Sequence, residues 1–203
     1  MKKYTLPLLL LMGVALTAGE ANAQVGKRAY MNLGWQINGT MYNDFVQNVQ
    51  GYGIYLQSGY YLNPWIAIGT FSHFSNNETY LEKQTYPLRD GAALTTDVQR
   101  NLYQNAFGLS MRMRLWPLEL QPYVEAKVGA EYASYSTYFS HYVTRETGWG
   151  FYVSPEIGLI YYPFTGSDTG LHLAMYYSYT TDTQATFNPC GLNNWGFKLG
   201  MVF

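Results

Sequence analysis

Trp195-Gly196-Phe197-Lys198-Leu199-Gly200-Met201-Val202-Phe203 is the stretch whose reading decides the fold. On alternate positions Trp195, Phe197, Leu199, Met201 and Phe203 make one wholly apolar face, while Gly196, Lys198, Gly200 and Val202 make a face of small or charged groups. A period of two belongs to a β-strand. A soluble sheet would bury the large face in a core; a membrane barrel would turn it toward lipid and keep the small and polar groups within. The remainder of the chain has to choose between these two.

The other end bears on the choice first. Lys2 and Lys3 precede an apolar run from Leu6 to Leu16, and Ala21-Asn22-Ala23 follows before Gln24, the order of a secretory signal peptide cleaved after Ala23. The run is shorter than the roughly 20 residues that a spanning helix needs. With residues 1–23 set aside, 24–203 reads as one domain. It carries 10 basic and 12 acidic side chains, so nucleic acid is not an expected partner. Charged residues make up only 12% and aromatics 18% of the sequence. A solvated surface usually takes about a quarter of its residues charged, so much of this surface needs another solvent. No second run is long and apolar enough for a helix, which leaves a closed barrel as the membrane solution. Cys190 is the single cysteine and has no internal disulfide partner; it reads as a loop thiol or as an intermolecular or modified site.

From Gln24 onward the alternation recurs. Ala29, Met31, Leu33, Trp35 and Ile37 oppose Tyr30, Asn32, Gly34, Gln36 and Asn38. Tyr52, Ile54, Leu56 and Tyr60 oppose Gly51, Gly53, Tyr55, Gln57 and Gly59, before a turn at Asn63-Pro64. The third strand, Trp65 to about Ser75, leaves its facing open, because Ile66 and Ile68 compete with Trp65, Ala67 and Phe71 for the outside. A loop from about Asn76 to Asp97 is the longest. Strand four turns Phe107, Leu109, Met111, Met113 and Leu115 outward; strand five does so with Val124, Ala126, Val128, Ala130 and Tyr132. After a loop near Ser136 to Gly148 comes strand six, with Phe151, Val153, Pro155, Ile157, Leu159 and Tyr161 outward; strand seven follows with Leu171, Leu173, Met175, Tyr177 and Tyr179. The closing nine residues make eight.

Connections alternate long and short, the asymmetry of an outer-membrane barrel with extended outer loops and tight periplasmic turns. Aromatics at the strand ends, Tyr61, Trp65, Trp116, Tyr162 and Phe164 on one side and Trp149, Tyr179 and Trp195 on the other, are expected at the two membrane interfaces. The fold expected is all-β: an eight-stranded antiparallel up-and-down transmembrane β-barrel of the Gram-negative outer membrane, in contact with outer-membrane lipid and lipopolysaccharide.

The eight strands, the phrases Gln121-Pro122-Tyr123-Val124-Glu125-Ala126 and Val153-Ser154-Pro155-Glu156-Ile157-Gly158, and the ending Gly200-Met201-Val202-Phe203 resemble the small outer-membrane barrel family that includes the OmpA membrane domain and OmpX. The resemblance implies that the barrel-assembly machinery reads the last strand, with Trp195, Phe197, Leu199, Met201 and Phe203 as its signal. OmpA-type chains continue into a peptidoglycan-binding domain, a function not expected of a sequence that stops at Phe203.

The inward charges are Arg112, Arg114, Glu125, Lys127, Glu131, Glu156 and Lys198. Eight strands leave room for little more than side chains, so these groups must pair, either as a structural plug or as a gate over a narrow small-solute path. Glu125 is expected opposite or diagonal to Arg112 or Arg114, and Lys127 near Glu156. His73-Phe74-Ser75-Asn76 is similar to the His-x-Ser-Asn segment of outer-membrane lipid A deacylases. That resemblance implies a lipid-modifying hydrolase with His73 as base, Ser75 as nucleophile and Glu78 or Glu82 as third member. His141 and His172 have no companions at metal-ligand spacing, so neither metal nor cofactor is expected. Tyr80, Tyr86, Tyr135, Tyr138 and Tyr142 give the outer loops groups for a surface ligand or for interface anchoring. The reading preferred is a non-enzymatic scaffold with recognition loops; the alternatives are the hydrolase and the channel.

Overall fold

The computed structural model describes residues 28–41, 45–46, 48–87, 93–116, 119–139, 142–163, 169–181 and 191–203. Outside these fall the segment 1–23 read as a signal peptide, Cys190, His141, Phe164 and Pro117, and nothing is described of the Tyr86 side chain. The described residues form eight strands: β1 (Ala29–Met41), β2 (Val49–Tyr61), β3 (Ile66–Pro87), β4 (Ala93–Arg114), β5 (Leu120–Phe139), β6 (Tyr142–Tyr161), β7 (Gly170–Thr180) and β8 (Leu192–Val202). Each pairs antiparallel with its neighbour in sequence, and β8 pairs with β1 to close the barrel. Closure removes the open edges that lipid could not satisfy.

The facing of the strands is that of a membrane barrel. Leu33, Trp35, Ile54, Leu109, Met111, Ile157, Leu173 and Leu199 are all exposed, while Gln57, Arg112, Lys127, Glu156, His172 and Lys198 are buried. Strand three, undecided in the sequence, takes Ile68 and Phe74 outward and sends Ala67, Phe71, His73, Ser75 and Asn77 into the lumen. Its ambiguity came from Ala67 and Phe71, apolar residues that pack inside, and from Thr70 and Ser72, polar residues that do not. Ser58 and Thr70 satisfy each other across β2 and β3 through their hydroxyls at 3.1 Å. Tyr61 is a correction: it is buried, and its ring lies under Arg114 rather than at the interface.

Two expected loops are strand instead. Asn76 to Asp97 belongs largely to β3 and β4, whose ladder runs up to Pro87 and Ala93; Ser136 to Gly148 belongs to β5 and β6, paired as far as Phe139 and Tyr142. The exposed apolar side chains Phe107, Leu109, Met111, Met113 and Leu115, on β4 and the residue after it, cover a band of nine residues. At about 3.3 Å per residue and a tilt of about 40° it rises roughly 23 Å, close to the apolar band of this class. β3 continues thirteen residues beyond Phe74, and β6 begins seven before Trp149. By contrast strands β1, β2, β7 and β8 end near the band, at Met41, Val49, Thr180 and Leu192. A four-stranded sheet, β3 to β6, therefore stands above one side of the barrel. The hydrophobic alternation fades there because polar side chains stand on both faces of the ladder, exposed at Thr85, Thr95 and Asp97 and buried at Thr96 and Asn101. Hydroxyl pairing helps hold it, between Thr85 and Thr95 at 2.9 Å and from the Tyr80 hydroxyl to Asp97 at 3.2 Å.

The tight turn at Asn63-Pro64 has a visible cause. Asn63 Oδ1 accepts from the backbone N–H of Trp65 and of Ile66, each at 2.8 Å, an Asx turn. The Arg114 guanidinium donates to the Pro64 carbonyl at 2.9 and 3.0 Å and to Gln121 Oε1 at 3.0 Å, tying that turn to β4 and β5.

Candidate functional site

The lumen holds a line of opposite charges set by register. Arg112 and Glu125 are directly opposite in the β4–β5 ladder, and Glu125 and Glu156 are directly opposite in the β5–β6 ladder. Two carboxylates facing each other would repel. The cations between and beside them remove that conflict. Arg112 donates Nε and Nη2 to Glu125 Oε2 at 2.9 and 2.6 Å. Lys127 Nζ lies 4.0 Å from Glu125 Oε1 and also bonds to Glu156 Oε2. Lys198, arriving from β8, reaches the same Glu156 oxygen at 2.7 Å.

Glu156 is the hub. Besides the two ammonium groups it accepts from the Tyr123 hydroxyl at 2.8 Å and, at 3.3 and 3.4 Å, from Gln57 Nε2. The Arg112 guanidinium is sandwiched between Tyr30 and Tyr123, its Cζ 4.1 Å from each ring centre. Lys198 Nζ lies 4.7 Å from the Tyr176 ring centre. Such faces carry negative quadrupole and stabilise a cation without a further counter-ion. Three cations thus share two carboxylates.

His172, which had no companion in the sequence, sits between two tyrosines: Nδ1 is 2.6 Å from the Tyr55 hydroxyl and Nε2 is 2.5 Å from that of Tyr123. Because the Tyr123 proton goes to Glu156, its oxygen must accept from Nε2–H, which leaves Nδ1 to accept from Tyr55. Every proton in the chain Tyr55, His172, Tyr123, Glu156 then has one direction. Gln57, Tyr55, Tyr123, Tyr30 and His172 were legible as inward residues, but only the register brings them to one level. Arg114 and Glu131 lie at other levels: Arg114 at the Asn63-Pro64 turn, and Glu131, also buried, beside Ala106 and Gly150 higher up.

The proposed hydrolytic trio is not brought together. His73 and Ser75 share the inner face, but the Ser75 hydroxyl meets Asn38 Nδ2 at 3.3 Å and the His73 ring packs against Phe71, Tyr152 and Tyr176. Glu78 stands on the opposite face of β3, bonded to Asn76 at 2.8 Å, and Glu82 is exposed higher on the strand. The strand period separates base from acid. Above His73 the lumen is capped by Phe45 and Val46 of the β1–β2 connection, buried against Leu102, Ala133, Tyr135 and Leu192, with Arg100 Cζ 5.3 Å from the Phe45 ring centre. Tyr135 accordingly belongs to this cap and not to the surface, whereas Tyr80 and Tyr142 are exposed and Tyr138 is half-buried. Of the last strand, Phe197, Leu199, Met201 and Phe203 face lipid, and backbone bonds between Phe203 and Met31 at 2.9 and 3.1 Å seal the seam.

A closed antiparallel barrel with an apolar outside and an ion-paired inside defines a bacterial outer-membrane β-barrel protein. The chain belongs to the family described as outer membrane protein beta-barrel domain, which matches residues 6–203. Among solved structures it is similar to Neisserial surface protein A, at 12% identity over 86% of this chain and 95% of that one with a TM-score of 0.56. It is also similar to the outer membrane protease OmpT of Escherichia coli, at 9% identity over 87% and 95% with a TM-score of 0.52. The attachment invasion locus protein Ail of Yersinia pestis aligns at 14% identity over 87% and 98% with a TM-score of 0.48. Comparison with curated proteins returns no match.

Proposed function

We propose that the chain is a non-enzymatic outer-membrane scaffold whose plugged body carries the β3–β6 sheet as a surface for recognition. One observation supports this most directly: the four longest strands extend well past the membrane band, while the lumen beneath is filled by paired charges and capped by Phe45 and Val46. The segment 1–23 serves as the export signal, cleaved after Ala23, and the lipid-facing side chains of β8 serve as the signal for the assembly machinery. The charges act as a plug and not as a gate.

The reading is tested on cells. An epitope tag between Pro87 and Ala93 is expected to bind antibody on intact cells, and one beside Asn63 only after permeabilisation. Trimming residues 79–99 and 136–146 to tight turns is expected to leave heat-modifiable gel migration intact and to change adhesion or autoaggregation of the expressing cells. Unchanged surface behaviour after trimming, or the reverse pattern of tag access, would sink the proposal. In planar bilayers the wild-type protein is expected to show no steady conductance; stable ion current would favour the channel.

A further inference from the structure

One seam of the barrel wall is weaker than the others. Among the described residues the β6–β7 ladder is the shortest of the eight, and it is interrupted: pairing runs Tyr152↔Thr180, Val153↔Tyr179, then resumes at Glu156↔Tyr176 with the register unchanged. At its upper end the Thr181 N–H donates to the Phe151 carbonyl at 3.0 Å. Bonded positions recur at every second residue of an antiparallel ladder, so Val153 and then Pro155 are the next to turn their backbone groups to β7. Pro155 has no N–H to give. Proline within a sheet belongs on an edge or at a bulge, and this one sits at neither.

The group left without its ladder donor is the Tyr177 carbonyl, and it has a substitute. The Ser154 hydroxyl, buried on the lumen side, donates to it at 2.7 Å. Lipid offers no donor in its place. Outside the gap lies a hollow of about 680 Å³, lined by the small Ala126 and Pro155 and by Met111, Met175, Tyr177 and Trp195, so the seam is thinly covered on its lipid side.

On the lumen side the seam is strapped. Lys198 of β8 reaches past β7 to Glu156 of β6 at 2.7 Å, and His172 of β7 reaches past β6 to the Tyr123 hydroxyl of β5 at 2.5 Å. Each link runs from one side of the interrupted ladder to the other. Both are side-chain contacts, which can part without unpairing β6 from β5 or β7 from β8.

We propose that the β6–β7 seam is where this barrel opens sideways to the bilayer, and that the Ser154 hydroxyl and the two cross-seam links hold it shut. Opening parts Ser154 from Tyr177 and Glu156 from Lys198 and joins the polar lumen to the hollow outside. The path runs through the wall and not along the lumen, and it stands apart from the recognition reading above.

Backbone amide hydrogen exchange of the full protein in phospholipid vesicles tests the seam. Amides of Val153, Tyr177 and Tyr179 should exchange at least about tenfold faster than those of residues 108–112 in the unbroken β4–β5 ladder, the effect of one missing hydrogen bond. Pro155→Ala, which returns the N–H, should slow the seam amides about tenfold. Ser154→Ala should speed them about tenfold in the wild-type chain and change nothing once Pro155→Ala is present. Lys198→Met should speed exchange at the seam more than at residues 108–112. In a Cys190→Ser chain, Ser178→Cys, buried beside the gap, should be labelled by bilayer-dissolved pyrenylmaleimide and not by a membrane-impermeant sulfonated maleimide. Equal exchange in the two ladders, no effect of Pro155→Ala, the same effect of Ser154→Ala in both backgrounds, a Lys198→Met change shared by both ladders, or no labelling from the lipid would each overturn the proposal. Gel migration of each variant before and after boiling reports that the barrel is folded.

Discussion

Glu156→Gln is expected to lower the stability of the barrel by about 3–5 kcal/mol, the cost of leaving buried charge without its counter-ion. The carboxylate accepts from Lys127, Lys198, Tyr123 and Gln57 at once. A neutral amide keeps the size but presents an NH₂ group to two ammonium ions at a site where side chains, not bulk water, fill the space. Urea unfolding followed by loss of the fast-migrating gel form is the measurement. Glu82→Gln, in the exposed part of β3, should stay within about 0.5 kcal/mol of wild type. Adding Lys198→Met to Glu156→Gln should recover part of the loss, since one stranded cation is removed with its partner. If the midpoints of Glu156→Gln, Glu82→Gln and wild type coincide, the ion pairs do not support the barrel.

Gly200→Val should prevent closure. Gly200 faces Gly34 across the β8–β1 seam, and a Cβ on either would fall among the other strand's backbone and the Tyr55 hydroxyl. The missing side chains make room for the Tyr55 ring, which carries the hydroxyl bonded to His172. Neither a backbone nor a buried ring with a fixed hydrogen bond yields easily. The cost is expected at or above the upper end for overpacking, about 3 kcal/mol, at the β1–β8 ladder that joins the two ends of the sheet. The expected outcome is a protein that migrates alike with and without boiling and accumulates unassembled. Gly51→Ala, where an added methyl meets only the Trp35 and Ile37 side chains at ordinary distance, should fold normally. A heat-modifiable Gly200→Val barrel would refute the seam argument.

How much was legible follows from which solvent each face meets. In the band, lipid outside and packed polar groups inside give opposite demands, so β1, β4 to β8 and β2 from Tyr52 onward could be read with their facing from alternation alone; Gly51, read as inward, lies against the outward Trp35 and Ile37 beside a register shift. Strand β3 escaped because Ala67 and Phe71 fill the lumen while Thr70 and Ser72 face lipid, which erases the contrast. Above the band polar residues occupy both faces, so 76–97 reads as loop although 76–87 and 93–97 are largely ladder. The Arg112–Glu125 and Lys127–Glu156 neighbours followed from parity within hairpins. Lys198 joining Glu156 did not, because it reaches past β7 between strands that are not paired with each other. The partners of His172 were hidden because they are distant in sequence, Tyr55 and Tyr123 being 117 and 49 residues away.

That the surface is ladder and not loop also sets what mutation can do to it. A loop tolerates insertions and changes length freely, but a paired strand keeps its facing only in steps of two. Above the membrane band one side of β4 carries Val98 and Leu102, buried against neighbours and cap, and the other carries Asp97, Gln99 and Tyr103. One residue added between Tyr103 and Phe107 would exchange the two sets, uncapping the lumen and turning the cap's apolar contacts to water. Variation on this face is thus confined to substitution at every second residue, a striped pattern of permissible change that an antibody or a bacteriophage tail would meet as alternating fixed and free positions.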